Sequence, residues 1–556
     1  MSFSIPRRLV ALLGVAAVAA ALTAAAPVAP AASAPSGVQV YPAGRAGLAA
    51  RAADGPAPGV RASRATTQPD LHERGVRAAP RLRAGSASVA HPVAPAQSAA
   101  ASAGLLRSFD GVSSRDSRVT NFNAQFEPPD QGLCVGNGFL LEAVNSAYSI
   151  YRTDGTRVRG PFNVNDLFNE GSLEFTSDPR CYFERETHTW YAVILFIDFA
   201  TGETRADLAV NTSGDPTNSW TQYRIDTTDD GRLGEPSNPG CPCLGDQPLI
   251  GIDHDNVYIS TNEFSLNGPQ FNGAQIYAVA KRDLLAGRPA AHIVHFGGLR
   301  IGGAAATSVQ PATSAAGTTT EYFLSSLDPH GTFDSRLGVW AITGGAKVAS
   351  GGMPTLSSVV ISSQAYGVPP PAVQKGSTST LDPGDDRMQQ AQFIGGRLWG
   401  ALTSAVTIPG DRSERAGAAW FSVVPSLRQG VVSAARIDRQ GYVVRAGASV
   451  LYPAVQADAA GRAAMAFTLT GSRIFPSAAY ATLGADATNF KAPTVAAAGT
   501  GSYDQTATRW GDYSYATLNP AGTAVWLATE YVPPRSSQTP DRRRNWGTRV
   551  FSVALP

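Results

Sequence analysis

From Leu105 onward, apolar residues come in short runs rich in Val, Ile, Phe, Tyr and Trp, broken every few positions by Gly, Asp, Asn or Pro. Such runs predict strands joined by tight turns, while stretches with a 3.6-residue period are too scarce for a helical bundle or coiled coil. The runs also recur. A turn holding Asp or a substitute precedes a short strand, then a polar hairpin, then a strongly apolar strand. Examples are PPDQGLCVGNGFLLEAVNS from Pro128, SDPRCYFERETHTWYAVILF from Ser177 and GDQPLIGIDHDNVYISTNEF from Gly245. Seven copies are anchored at Asp130, Asp178, Asp246, Val309, Asp385, Leu451 and Asp512, a mean spacing near 64 residues.

A third strand follows at 206–210, 275–280, 337–342, 419–424 and 478–482, and a fourth at 220–225 and 292–296. Four antiparallel strands repeated radially are β-propeller blades. The pattern therefore predicts an all-β, seven-bladed β-propeller. The seventh copy lacks a fourth strand before the chain stops, and the spare run LLRSFDGV at 105–112 is expected to supply it. That would close the ring and remove an exposed edge.

Composition divides the chain. With 556 residues, 43% hydrophobic and 16% charged, there is ample material for a core. The formal charge of +2 is unevenly spread. Residues 1–104 hold ten Arg, no Lys and three acids, leaving 35 basic and 40 acidic residues in 105–556. A mildly acidic folded region gives no reason to expect nucleic acid. Arg7 and Arg8, the apolar stretch 9–26 and Ala29-Pro30-Ala31 read as a secretory signal with cleavage after Ala31. Residues 32–104, rich in Ala, Pro, Arg, Gly and Ser, cannot bury enough apolar surface to order themselves and read as a disordered linker or pro-segment. The expected organisation is a signal at 1–31, a linker at 32–104 and a propeller at 105–556. The mature protein is expected outside the cell, monomeric, and without membrane contact.

Cys134, Cys181, Cys241 and Cys243 are an even set in an export context, so disulfides are expected, in any of three pairings. A zinc site is disfavoured because no His completes a ligand set near Cys241-Pro-Cys243. Asp253-His-Asp255-Asn256 starts like a calcium loop but lacks the later ligands and reads as a hairpin turn. His292 and His295 fall on opposite faces of a strand. Trp190, Trp399 and Trp526 recur at one place in the second strand and read as core. No catalytic, nucleotide or zinc signature is found.

Ser213-Gly-Asp215-Pro-Thr-Asn-Ser219-Trp220 resembles the Asp-box of sialidases and related propellers, and Asp486-Ala-Thr-Asn489-Phe490 resembles a more degraded version. In that family the box is structural and lies away from the active site. The copies as a whole resemble a group of secreted bacterial propeller proteins without an agreed reaction. PPD at Pro128, SDP at Ser177, CLGDQPLIGID at Cys243, STNEF at Ser260 and RWGDYS at Arg509 carry that resemblance over about 450 residues.

In a propeller, ligands usually lie where the innermost strands begin. That mouth is expected to carry Asp130, Asp178, Asp246, Asp385, Asp386 and Asp512, with Asp198, Glu263 and Glu530 further out. Arg180, Arg387 and Arg509 are the basic neighbours, and Tyr513, Tyr515 and Tyr531 add phenols. Two functions follow. One is a binding module holding a glycan, peptide or cation at the mouth, with Asp178, Asp246, Glu263, Asp385, Asp386, Asp512 and Tyr513 as contacts. The other is a sialidase-like glycoside hydrolase. There Arg180, Arg387 and Arg509 would fork onto a carboxylate, Tyr531 activated by Glu530 would attack, and Asp130 would be the acid. The segment Arg-Ile-Pro of sialidases is absent, which favours binding. No cofactor is expected, a structural cation in the channel aside.

Overall fold

A computed structural model describes residues 92–94, 104–124, 126–235, 237–327, 333–503, 509–535 and 545–556, and the backbone of 38–48. The expected export signal at 1–31 lies outside the described residues.

The strands pair as seven successive four-stranded antiparallel sets. Their innermost strands are Gly132–Gly136, Phe175–Glu184, Cys243–Ile252, Gln310–Ser314, Gln390–Ile394, Ser449–Ala457 and Tyr515–Leu518. As expected, the seventh set is completed from upstream: Leu105–Ser113 pairs antiparallel with Gly547–Ala554.

A strand has two faces, and here both are apolar. In Ala463–Gly471 of the sixth set, Met465, Phe467 and Leu469 pack with Trp399 and Trp420 of the fifth. Its alternate residues Ala464 and Ala466 pack with Val525 and Leu527 of the seventh. This two-residue alternation explains why the second strands read as unbroken apolar runs: each sheet is covered on both sides. The same sharing joins the other neighbouring sets and returns to the start, because Leu133 and Leu140 of the first set pack with Trp526 and Val550 of the seventh. The arrangement is a β-propeller. A cavity of about 560 Å³ at the far ends of the inner strands is lined by Val135, Glu184, His254, Ser314, Gln392, Gln456 and Thr517, one residue from each set.

The sulfur pairs are Cys134–Cys181 and Cys241–Cys243. The first ties the innermost strands of sets one and two.

One expectation about the linker needs correction. Within 32–104, expected to lack order, Val38–Leu48 is a strand whose first half pairs with Ala290–Phe296 and whose second half pairs with Thr221–Asp226. Those are the outermost strands of the third and second sets, whose free edges offer unpaired backbone groups. Composition speaks to apolar burial and misses ordering of this kind, which needs only backbone hydrogen bonds.

The seam between sets one and seven contains a buried acid. Glu142 is fully buried, accepts the Val112 N–H at 3.0 Å and accepts from the Thr548 hydroxyl. Burial raises its pKa to about 7 from an ordinary 4.5. Between those values the folded chain holds a proton that the unfolded chain has released, so stability falls as pH rises from 4.5 to 7. Asp253, raised to about 6 by burial, acts in the same direction. Melting temperature is expected to climb as pH is lowered from 8 to 5. Glu142→Gln should flatten that climb, as read by thermal melts across the range.

Candidate functional site

At the mouth, six of the seven sets place a residue in the left-handed region where the innermost strand begins. These are Asp130, Asp178, Gln247, Ser308, Tyr452 and Gly511, with φ between 45 and 57°. For a non-glycine this conformation is costly and persists only where surroundings over-determine it. The surroundings are hydrogen bonds between sets. The Asp178 N–H donates to Asn145 Oδ1 at 2.7 Å, the Ser308 N–H to Asn262 Oδ1 at 2.8 Å and the Tyr452 N–H to Thr403 Oγ1 at 3.1 Å. Each acceptor belongs to the preceding set. The sequence anchors at Asp246, Val309, Leu451 and Asp512 are thus one residue away from the structural equivalents. Asn145, Asn262 and Thr403 lie outside the residues expected at the mouth, although VNS and STNEF place an Asn near the end of two apolar strands.

Asp130 is the hub. It is fully buried, accepts from Asn145 Nδ2 at 2.7 Å through Oδ2, and accepts the Asp512 N–H at 2.6 Å through Oδ1. Burial first, then the charges of Asp512 and Asp178, holds its pKa well above the usual carboxylate range. Glu530 is buried beside it, and neither carboxylate oxygen has a hydrogen-bond partner. Burial and the charges of Asp130, Glu127 and Asp512 push its pKa well up. Gly511 is required here, since a Cβ at that position would lie 2.9 Å from Glu530 Oε2.

The arginines are engaged in three different ways. Arg387 forks onto Asp385, at 2.7 Å to Oδ1 and 2.8 Å to Oδ2, and donates to Gln247 Oε1 at 3.1 Å. Arg509 pairs with Asp512. Arg180 lies over the Tyr513 ring, 3.3 Å from guanidinium carbon to centroid, and its Nε and Nη2 have no hydrogen-bond partner although the residue is 3% exposed. Gln131, next to Asp130 in the chain and fully buried, likewise has neither amide atom bonded. The Tyr513 hydroxyl reaches Asp178 Oδ1 at 3.3 Å. Asp246 and Asp386 are buried at the start of their sets.

The expected tyrosine–glutamate pair does not form. Glu530 and Tyr531 are neighbours in Ala524–Tyr531 and point to opposite faces, so the Tyr531 hydroxyl bonds Asp110 on the closing strand. Burial raises the pKa of both Tyr531 and Tyr513, the opposite of what a phenolate nucleophile needs. The Tyr515 hydroxyl donates to the Cys181 carbonyl at 2.6 Å. Glu263 faces away from the channel, toward Asn238, Asn272 and the Cys241–Cys243 disulfide. Asp198 caps an exposed turn by accepting from Ala200 N–H and Thr201.

The remaining motifs fall into structural roles. Asp215 accepts from the Thr217 N–H and hydroxyl, while buried Trp220 donates to the Pro216 carbonyl at 3.0 Å. Asp253 Oδ1 accepts the N–H groups of Asp255 and Asn256, closing a turn. His292 pairs with Asp283 and His295 bonds Gln275. Trp190, Trp399 and Trp526 are buried.

No known protein family profile matches the chain, and no curated protein matches it in sequence. Among solved structures it is similar to Hadza microbial sialidase Hz136, at 12% identity, with 75% of this chain and 73% of that one covered and a TM-score of 0.38. The Dos1 propeller is similar at 8% identity, 79% and 82% coverage and a TM-score of 0.34. An α-L-arabinanase from Penicillium chrysogenum, complexed with arabinobiose, is similar at 9% identity, 81% and 99% coverage and a TM-score of 0.32.

Proposed function

We propose that the seven strand sets act as the blades of one secreted propeller whose mouth binds a glycan without cleaving it. The observation that carries this reading is Arg180: buried, stacked on Tyr513, with two nitrogens unbonded. A guanidinium fixed on an aromatic face is pre-organised to donate to a ligand oxygen. Glu530, with two bare carboxylate oxygens, and Gln131, with a bare amide, supply acceptors and a further donor. A sugar hydroxyl both donates and accepts, so a polyhydroxylated ligand suits this mixed set better than a simple cation or anion. Arg387 and Arg509, each already neutralised by an Asp of its own loop, support the mouth and leave no trio of free forks for a sialic acid carboxylate.

A second reading has one observation in its favour. Burial, then the charges of Asp130, Glu127 and Asp512, push the Glu530 pKa well up, and a carboxyl of raised pKa next to a second carboxyl is the chemical pairing of a glycoside hydrolase. A hydrolysis screen on fluorogenic glycosides separates the two. Binding alone predicts no turnover above buffer from folded protein. Turnover that falls about 100-fold or more in Glu530→Gln, on the scale of losing a general acid, would install the hydrolase instead. Under either reading Arg180→Ala is expected to weaken glycan binding about 10-fold or more, measured by calorimetry, because a charge-assisted hydrogen bond is worth roughly 1.5–3 kcal/mol.

A further inference from the structure

Away from the channel, the loop joining the second and third sets, residues 226–243, reads DTTDDGRLGEPSNPGCPC. Three of its four acids are occupied locally. Asp226 Oδ1 accepts the Thr228 N–H at 2.9 Å, Asp230 pairs with Arg232 at 3.2 Å, and Glu235 accepts the N–H groups of Arg232 and Leu233 at 2.8 and 2.7 Å. Asp229 differs. It is fully buried in the left-handed conformation, at φ 48°. Its Oδ2 receives a 3.5 Å contact from Asn238 Nδ2, and its Oδ1 has no hydrogen-bond partner.

The same Asn238 nitrogen lies 3.1 and 2.9 Å from the two carboxylate oxygens of Glu263, so one amide bridges two acids. Glu263 is also fully buried and takes a 2.6 Å bond from Asn272 Nδ2. The groups facing the pair are the Asp226 and Glu235 carboxylates, the Cys241–Cys243 disulfide and the His295 ring, whose Nδ1 is 4.0 Å from Asp229 Oδ1. Among the described residues, neither Asp229 nor Glu263 has an ion pair with Lys or Arg.

Two buried carboxylates bridged by one amide, with no Lys or Arg paired to either among the described residues, favour a cation between them. The donors are hard oxygens. Cys241 and Cys243, spent in a disulfide, offer no thiolate to a soft metal, while the half-buried Asn238 and Asn272 can turn their carbonyl oxygens inward and admit water. We propose that Asp229 and Glu263, with the side-chain amides of Asn238 and Asn272, bind one calcium ion at the base of the 226–243 loop.

The test uses the full chain after chelation, with calcium chloride as the probe. Expected are one bound calcium, a higher melting temperature with calcium, and slower amide hydrogen exchange confined to 226–243 and the strands Asn256–Ser265 and Phe271–Ala280. Asp229→Asn and Glu263→Gln should each lose that site about 100-fold or more, while Asp230→Asn keeps it. The proposal is overturned if calcium leaves exchange in 226–243 unchanged in the wild-type chain, or if both variants fold and bind as the wild type does. The wild-type exchange result decides the matter even if a variant fails to fold. A glycan-binding failure at the mouth would leave this site untouched, since none of its residues contributes to that reading.

Discussion

A chain beginning at Ser114 is expected to lose its cooperative melt, whereas one beginning at Leu105 keeps it. Only the first lacks Leu105–Ser113, the fourth strand of the last set. Removing it exposes the ladder of Gly547–Ala554 to water and uncovers a seam between first and last sets. Val112 alone is fully buried, worth roughly 1.5–3 kcal/mol of apolar transfer. Glu142 also loses the Val112 N–H, a hydrogen bond worth about 0.5–1.5 kcal/mol. These losses fall where the first and last sets meet, and an open edge also invites pairing with other molecules. Scanning calorimetry and gel filtration of the two truncations check this. Equal melts for both would mean that the closing strand does not hold the ring.

The second large effect is expected from Cys134→Ser with Cys181→Ser. That disulfide closes a loop with a sequence separation of 47 and joins the innermost strands of the first two sets. Both half-cystines are 1% exposed, among Leu141, Phe183 and Trp190. The chain-entropy relation gives about 4 kcal/mol for such a loop, and two hydroxyls left in an apolar pocket add to the cost. The Cys241–Cys243 bridge closes a loop with a separation of only 2, so Cys241→Ser with Cys243→Ser should affect global stability far less. Denaturant titrations of the two double variants give the comparison. Equal losses would show that the first bridge acts through local packing and not through the unfolded chain.

Much of the fold was legible because its determinant is periodic. Apolar runs with a two-residue alternation recur, and the strand at 105–112 stood out as surplus to the count. The repeat also carried Asp130 and Arg180 to the strand starts, whereas Glu530, expected further out, lies buried beside Asp130. The contacts that shape the site were not legible. Which Asp faces the channel depends on a left-handed residue at the strand start in six sets, and that residue is Asp, Gln, Ser, Tyr or Gly in different sets. One backbone conformation served by five residue types leaves no sequence signature, so the anchors slipped by one position in four copies. The Glu530–Tyr531 pairing failed on alternation within a strand, a rule that the sequence alone could have applied. The Asp229–Glu263 pair was hidden because its members are 34 positions apart and meet only when the loop folds against the third set.

The central claim is that the channel mouth holds a glycan through Arg180 and its neighbours. Equilibrium binding of the wild-type chain and Arg180→Ala to an immobilised panel of neutral and acidic glycans tests it most directly. The account predicts a defined subset of glycans bound by the wild type and released by the variant, with both proteins melting cooperatively. Binding unchanged by Arg180→Ala would place any glycan elsewhere on the protein. No binding across the panel by folded wild-type protein would contradict the claim outright.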